Sequence, residues 1–334
     1  MIKKNIVSNY LGQGWSVLMR LAFIPLDIKF LGIESYGLIG FFTLLQVWFG
    51  LLDMGMTPTL MREMSRYTGG SQDATAIRDI LRSMECIALL VVLLVAASVW
   101  VCSDWLAASW LQPENLHLSQ VSQAIALMGL VVALRMLEGL YRGCILGLQR
   151  HAALNRLVVV VETFRGLGAV AILAWISPTI GAFFLWQALV SAFSLAALIT
   201  LTYSMLARDE RGGRFSLASL RGVWGFAGGS MSIAVLSVLL TQVDKVLLSR
   251  MLGLSDYGYY MLAAAVAGAM FMLINPLTQS IHPRMNELVA RDDQELLVET
   301  YHVGSQMVAV ILGSAAVTLF LFSELILQLW TQDA

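Results

Sequence analysis

The chain has 334 residues, of which 58% are hydrophobic and 13% are charged, and its mean hydropathy is +0.75. A water-soluble fold of this length could not bury so large an apolar share, so the composition excludes disordered, collagenous, nucleic-acid-binding and ordinary cytosolic proteins. The formal net charge of -1 excludes little by itself, because in a membrane protein the positions of the charges matter more than their sum.

Nine apolar stretches are long enough, or nearly so, to span a bilayer core of ~30 Å, which takes about 20 residues of helix. Because lipid offers the backbone no hydrogen-bond partners, these stretches must be helices. The sequence therefore predicts an all-α polytopic membrane protein. Its helices are expected at about 6–31, 36–58, 80–103, 119–147, 153–176, 180–206, 224–251, 257–280 and 303–330.

Lysine and arginine are distributed unevenly between the two sides of this arrangement. With a cytoplasmic N-terminus, 15 of the 21 basic residues lie in cytoplasmic segments. The opposite side has only Lys29 and Arg250, both at helix ends. The positive-inside rule therefore predicts that the N-terminus is cytoplasmic. Four basic residues lie inside predicted helices: Arg20, Arg135, Arg165 and Lys245.

A short repeat links two helix turns. The sequence FLGIESYG at 30–37 returns as MLGLSDYG at 251–258, and the same offset of 221 residues carries predicted helices 2 and 3 onto helices 8 and 9. Six helices separate equivalent points, and an even number preserves direction. We therefore expect two lobes related by an axis along the membrane normal.

The repeat also suggests how the chain divides. The predicted domains are a six-helix N-terminal lobe at 1–207, a cytoplasmic linker at 208–223 and a partial C-terminal lobe at 224–334, which holds about three of six helices. Completing the second lobe would need roughly another 100 residues. The sequence thus suggests a truncated chain or a fragment.

No catalytic or metal-binding pattern is present in the sequence. The four histidines fall in or near different loops, the three cysteines lack CxxC spacing, and neither a GxxxxGK[ST] phosphate loop nor a GxSxG elbow occurs. Glycines at 139, 143 and 147, and at 166 and 168, lie in apolar helices and are interpreted as packing positions. We therefore expect no enzyme activity, no cofactor and no metal.

Charges inside the helices are the candidate functional residues, because each costs at least ~2.5 to 3.5 kcal/mol at a helix centre and usually faces a cavity or a partner. Arg135 with Glu138, and Glu162 with Arg165, are spaced i,i+3, so helices 4 and 5 could each hold an internal ion pair. Asp53, near the end of helix 2, could couple transport to protons or sodium. It could equally cap or hydrogen-bond a neighbouring helix.

Arg20 and Lys245 have no acidic residue at i±3 or i±4, and adjacent Asp244 is expected on another helix face. Under the repeat offset, Lys245 corresponds to Ile24, one helical turn from Arg20. Each lobe should therefore direct one unpaired cation at the axis between them. This arrangement predicts a water-filled cavity for an anion such as phosphate or pyrophosphate. The alternative is that both cations pair with acidic residues of neighbouring helices: Asp27, Asp53 or Asp244.

Four segments, taken in order and spacing, carry a family resemblance: FLGIESYGL at 30–38, LLDMGM at 51–56, YRGCILGLQR at 141–150 and TQVDKVLLSRMLG at 241–253. Together they resemble the Wzx-type polysaccharide or O-antigen flippases, which belong to the MOP superfamily with the MATE multidrug exporters and the MurJ-type lipid II flippases. The resemblance implies two six-helix lobes around a central cavity that work by alternating access in a bacterial inner membrane.

The resemblance also implies a cargo, an undecaprenyl-diphosphate-linked oligosaccharide that moves from the cytoplasmic to the periplasmic leaflet for O-antigen or polysaccharide biosynthesis. The expected partners are this cargo, membrane lipids and other polysaccharide assembly proteins, with no nucleic acid. The substrate-binding candidates are Arg20, Lys245, Arg135 and Arg165. The coupling or ion-pair candidates are Asp53, Asp244, Glu138 and Glu162.

Three other interpretations stay open at this point. A MATE-like exporter of small cations would share the fold but should have an acidic cavity. A membrane-embedded polysaccharide polymerase or ligase should have large external loops with catalytic Arg or His. A purely structural membrane subunit would have no need of charges inside its helices.

Overall fold

All regular structure in the described part of the chain is helical. The computed structural model describes residues 2–70, 72–206, 213–216, 224–290 and 293–331. The helices are α1 (Ile2–Gly50), α2 (Met56–Thr68), α3 (Ala74–Trp105), α4 (Leu118–Gly147), α5 (His151–Trp175), α6 (Ile180–Met205), α7 (Trp224–Met251), α8 (Leu254–Ala290) and α9 (Gln294–Thr331). Seven helical stretches of the described residues are long and apolar enough to cross a membrane, which confirms the prediction of a polytopic all-α protein.

Predicted helices 1 and 2 form one helical run that breaks at Gly32. This glycine has φ 80° and ψ 164°, a conformation that side chains with a Cβ rarely adopt. The break divides α1 into a first arm (2–31), which contains Pro25, and a second arm (33–50). The first arm packs on α5, where Trp15 Nε1 donates to Thr163 Oγ1 at 3.0 Å. The second arm packs on α4 and α8.

The prediction that helix 2 continues to residue 58 is wrong. The second arm ends at Gly50 and is followed by a 3₁₀ turn, Leu51–Asp53. Met54 and Gly55 then have φ values of 50° and 76°, and these left-handed residues interrupt the helix. The chain restarts as α2, a short amphipathic helix that the hydropathy pattern did not reveal.

Helix α2 lies close against α4 because α4 presents glycines to it. A Cβ added to Gly143 would lie 2.8 Å from the carbonyl oxygen of Thr57, and one added to Gly147 would collide with the carbonyl of Met61. The interpretation of these glycines as packing positions is confirmed. The buried face of α2 consists of Met56, Thr59, Leu60, Glu63 and Met64.

Other helices extend beyond their apolar runs. Helix α3 begins at Ala74 instead of 80, α8 ends at Ala290 instead of 280, and α9 begins at Gln294 instead of 303. At the start of α9, the carboxylate of Asp293 accepts a hydrogen bond from the backbone N–H of Leu296 at 3.2 Å. The end of a helix is set by such caps, which hydropathy does not report.

One end of the molecule is closed by contacts between the α3–α4 loop and the turn between α7 and α8. The carboxylate of Glu34 accepts hydrogen bonds from the backbone N–H groups of Glu114 and Asn115, at 2.6 and 3.1 Å. The backbone N–H of Leu254 donates to the carbonyl oxygen of Gln112 at 3.0 Å. Both copies of the repeat lie at this end, which by the predicted orientation is the external one.

The predicted linker lies mostly outside the described residues, since 207–212 and 217–223 are not described. The described middle of the linker, 213–216, contacts α3 through two hydrogen bonds. The backbone N–H of Arg214 donates to Asp79 Oδ1 at 2.7 Å, and that of Ser216 donates to Ser83 Oγ at 2.8 Å. The division into lobes at 1–207 and 224–334 stays a prediction.

Candidate functional site

A cavity of about 540 Å³ lies between the two arms of α1 and helices α4 to α8. Its wall includes all four predicted substrate-binding cations: Arg20, Arg135, Arg165 and Lys245. Two carboxylates, Asp27 and Glu162, also line it. Among the arginine, lysine, aspartate and glutamate residues of the described chain, the cavity wall thus has four that are basic and two that are acidic.

Arg20 reaches the cavity from the first arm of α1. Its side chain is exposed, and the described residues include no ion-pair or hydrogen-bond partner for it. An exposed guanidinium without an acidic partner can accept an anion without first breaking an internal ion pair.

Lys245 lines the same cavity, but the prediction that it is unpaired is wrong. Its Nζ lies 3.6 Å from Asp244 Oδ2 and donates a hydrogen bond to the carbonyl oxygen of Thr241 at 2.8 Å. The four-carbon stem is long enough to bring the ammonium group back to its sequence neighbour, although adjacent positions point to different faces. Asp244 is held in turn by the hydroxyl group of Tyr260. The pairing alternative is therefore correct for Lys245, although Asp244 lies on the same helix and not on a neighbouring one. It is not correct for Arg20, which has no acidic partner in the described residues.

The predicted internal ion pair between Arg135 and Glu138 is also wrong. Arg135 Nη1 donates to Gln46 Oε1 at 2.7 Å, and Nη2 donates to Gln187 Oε1 at 3.1 Å. The guanidinium carbon lies 4.9 Å from the ring centroid of Phe42. Arg135 therefore reaches across to the second arm of α1 and to α6, where two neutral amides and an aromatic face surround it.

Glu138 pairs with two other arginines. Its Oε2 lies 3.1 Å from Arg142 Nη2, and its Oε1 lies 3.6 Å from Arg165 Nη2. The predicted pair within α5 is present, since Arg165 Nη1 lies 4.0 Å from Glu162 Oε1. Arg165 also donates to Ser191 Oγ at 3.3 Å. The ion pairs of these two buried carboxylates in the described residues are thus with Arg165 and Arg142, and neither carboxylate lies within 4.0 Å of the Arg135 guanidinium.

Asp53 lies outside the lining of the cavity. Its carboxylate accepts hydrogen bonds from the backbone N–H of Thr57 at 3.1 Å and from the Thr57 hydroxyl at 2.8 Å. These contacts secure the first turn of α2, which is the capping role that the sequence left open. The contacts give no support to coupling at Asp53.

Sequence reasoning did not assign several residues to the cavity wall, among them Asp27, Phe42, Gln46 and Gln187. Asp27 entered only as a neutralising partner, yet its Oδ1 is buried and has no hydrogen-bond partner in the described residues. Asp27 lies seven positions after Arg20, two helical turns along the same face, so its spacing was an available signal. The two glutamines are amides within apolar helices, which is the signal that could have identified them.

The model of the polysaccharide biosynthesis protein family matches residues 2–289. The chain belongs to this family. It is 20% identical over 336 residues to a protein of Shigella flexneri named "Putative O-antigen transporter", and the match covers 98% of this chain and 76% of that protein. With relatives of this kind and several apolar helices, the chain is a membrane transporter.

Solved structures show the same fold at low sequence identity. The inward-facing conformation of a multidrug resistance MATE family transporter of the MOP superfamily is 12% identical, with a TM-score of 0.65 over 95% of this chain and 72% of that one. The MATE multidrug transporter DinF-BH, solved as a complex, is 14% identical, with a TM-score of 0.62 over 99% and 74%. The predicted MATE-like architecture is confirmed, and the chain spans about three quarters of each of these proteins.

Proposed function

We propose that the protein is a flippase for an undecaprenyl-diphosphate-linked oligosaccharide. In this proposal it moves the cargo from the cytoplasmic to the periplasmic leaflet of a bacterial inner membrane, with its N-terminus in the cytoplasm. The observation that carries the proposal is the excess of basic over acidic side chains on the cavity wall. A diphosphate bears several negative charges and is bound best by such cationic donors.

The physical problem of flipping is the polar head group. Transfer of a sugar diphosphate through hydrocarbon would leave charges and hydroxyl groups without partners, which is prohibitively costly. The cavity offers Arg20, Arg135, Arg165 and Lys245 to the diphosphate, while the polyprenyl tail stays in lipid. The likeness to an inward-facing MATE transporter and the closure at the end that holds Glu34 support an alternating-access cycle.

The test is to replace Arg20 and Arg135 with glutamine, singly and together, and to measure surface polysaccharide and lipid-linked precursor in cells. We expect the double variant to lose the polymer and accumulate precursor at unchanged protein levels. The matched control is Arg156→Gln, an exposed arginine that donates to the carbonyl of Ala152 and does not line the cavity. Normal polymer in the double variant would overturn the proposal.

The second candidate is export of small cations, which the fold likeness to two multidrug transporters favours. A cation exporter needs net negative charge where its substrate binds, and the described wall has the opposite excess. Efflux of a fluorescent cation from cells separates the two candidates. Efflux that survives Arg20→Gln and stops with Asp27→Asn would favour export over the flippase.

A further inference from the structure

Arg135 is a cation on the cavity wall whose charge has no counter-ion within 4.0 Å in the described part of the chain. The Arg135 side chain is partly buried. A guanidinium withdrawn from water is costly unless its donors are satisfied, and a buried charge is usually paired with an opposite one. Here the nearest acid in sequence, Glu138, is committed to Arg142 and Arg165. Amide oxygens from two other helices accept hydrogen bonds from Nη1 and Nη2, while Nε is buried without a partner in the described residues.

We infer that Gln46 and Gln187 are positioning residues that hold the Arg135 guanidinium for an anionic cargo without neutralising it. A neutral amide oxygen satisfies an N–H donor and leaves the positive charge in place, whereas a carboxylate would cancel that charge. This inference rests on the proposed function and identifies how the wall remains cationic.

The geometry fixes the guanidinium from two sides. Gln46 Oε1 accepts a hydrogen bond from Arg135 Nη1 at 2.7 Å, and Gln187 Oε1 accepts one from Nη2 at 3.1 Å. Phe42 lies against the guanidinium at 4.9 Å and is itself packed edge-to-face on Phe184, with ring centroids 5.3 Å apart. The Arg135 guanidinium is thus held between the second arm of α1 and α6 before any ligand binds. Less side-chain entropy of Arg135 is therefore lost when a ligand binds.

The two glutamines come from different helices, so each contact with Arg135 can be altered separately. Gln46 lies on α1 and Gln187 on α6, while Arg135 lies on α4. Both glutamines and Phe42 line the cavity together with Arg135. Because glutamate has the same size and shape as glutamine, a single Gln→Glu substitution at either site changes the charge without a change in volume.

The experiment measures binding of inorganic pyrophosphate and of geranylgeranyl diphosphate to the purified full chain in detergent, by calorimetry. We expect Gln46→Glu and Gln187→Glu each to weaken binding of the diphosphate about tenfold or more. The introduced carboxylate neutralises Arg135, so the attraction between this cation and the diphosphate is lost. Gln123→Glu is the matched control, since this exposed glutamine of α4 makes the same charge change away from the cavity. We expect its affinity to equal that of the unaltered chain.

A double-mutant cycle separates positioning from a general loss of structure. In an Arg135→Gln background, Gln46→Glu should have little further effect, because the charge that it neutralises is already gone. An equal loss in both backgrounds, or unchanged affinity in both glutamate variants, would overturn the inference. If a glutamate variant unfolds early on heating, Gln46→Met, which removes the acceptor without adding charge, should weaken binding less than Gln187→Glu does.

The outcomes also distinguish this inference from the proposed function. If the unaltered chain binds neither diphosphate, an anionic cargo is excluded and the inference fails with it. If the unaltered chain binds both and the glutamate variants bind equally well, the flippase proposal stands and only the role of Gln46 and Gln187 is overturned.

Discussion

Gly37 and Gly258, the last residues of the two copies of the repeat, pack against each other's backbone. A Cβ on Gly258 would lie 2.5 Å from the carbonyl oxygen of Ile33 and 3.3 Å from the backbone nitrogen of Gly37. Conversely, a Cβ on Gly37 would lie 3.3 Å from the nitrogen of Gly258 and would collide with the carbonyl of Leu254. The contact is reciprocal, as expected for two elements related by a two-fold axis.

This contact predicts that a single methyl group will disturb the closed end. Gly258→Ala should lower the free energy of unfolding by about 1–3 kcal/mol, because the backbones must separate to admit the Cβ. Gly181→Ala is the control, since a Cβ there meets nothing within 4 Å and alanine favours the helix. Thermal unfolding in detergent measures both. Equal melting temperatures for the two variants would contradict the prediction.

The shared carboxylate of Glu138 leads to a second prediction. Glu138→Gln leaves Arg142 and Arg165 without their common counter-ion and should destabilise the protein by about 3–5 kcal/mol. A double variant, Glu138→Gln with Arg142→Gln, should recover part of this loss, because Arg142 loses its acidic partner with Glu138 whereas Arg165 keeps Glu162 at 4.0 Å. The control is Glu295→Gln in the exposed first turn of α9. Stability that falls further in the double variant would refute the assignment of partners.

Asp27, on the first arm of α1, and Asp53, in the 3₁₀ turn after the second arm, should behave differently. Asp27→Asn removes a carboxylate from the cavity wall, so we expect tighter pyrophosphate binding. Because Asp27 Oδ1 is buried without a hydrogen-bond partner in the described residues, Asp27 is the wall carboxylate free to take up a proton, and its loss should also abolish any response of transport to a proton gradient. Asp53→Asn should change neither, because asparagine caps a helix about as well as aspartate. Calorimetry and surface polysaccharide with and without an uncoupler provide the measurements. The reverse pattern would restore Asp53 as the coupling candidate.

The positions of the helices were predictable because hydropathy and length carry the information. The seven candidate spans in the described residues overlie eight of the nine predicted runs, with runs 1 and 2 merged into one span and the run at 257–280 not among them. The GxxxG glycines of α4 contact α2 closely because they have no Cβ atoms. The end of the second arm was not predictable in the same way. Met54 and Gly55 interrupt an apolar run through their backbone conformation, to which a hydropathy average is insensitive.

The membership of the cavity wall was partly predictable as well. The cost of a charge in lipid directed attention to Arg20, Arg135, Arg165 and Lys245, and all four line the cavity. The i,i+3 rule then assigned Glu138 to Arg135, but this rule considers one helix only. Glu138 instead meets Arg165 of α5, and Arg135 meets amides of α1 and α6, contacts that link distant parts of the chain.

By itself, the sequence determined that this protein lies in a membrane as a set of helices. Its apolar composition requires lipid as the solvent, and in lipid the backbone must form its hydrogen bonds within each helix. The sequence also determined which side chains carry charge into that environment. Only the tertiary structure decided which of those charges are balanced. Long arginine and lysine side chains pair with groups that lie within about one side-chain length in space. Which groups lie within that distance is decided only when the helices pack.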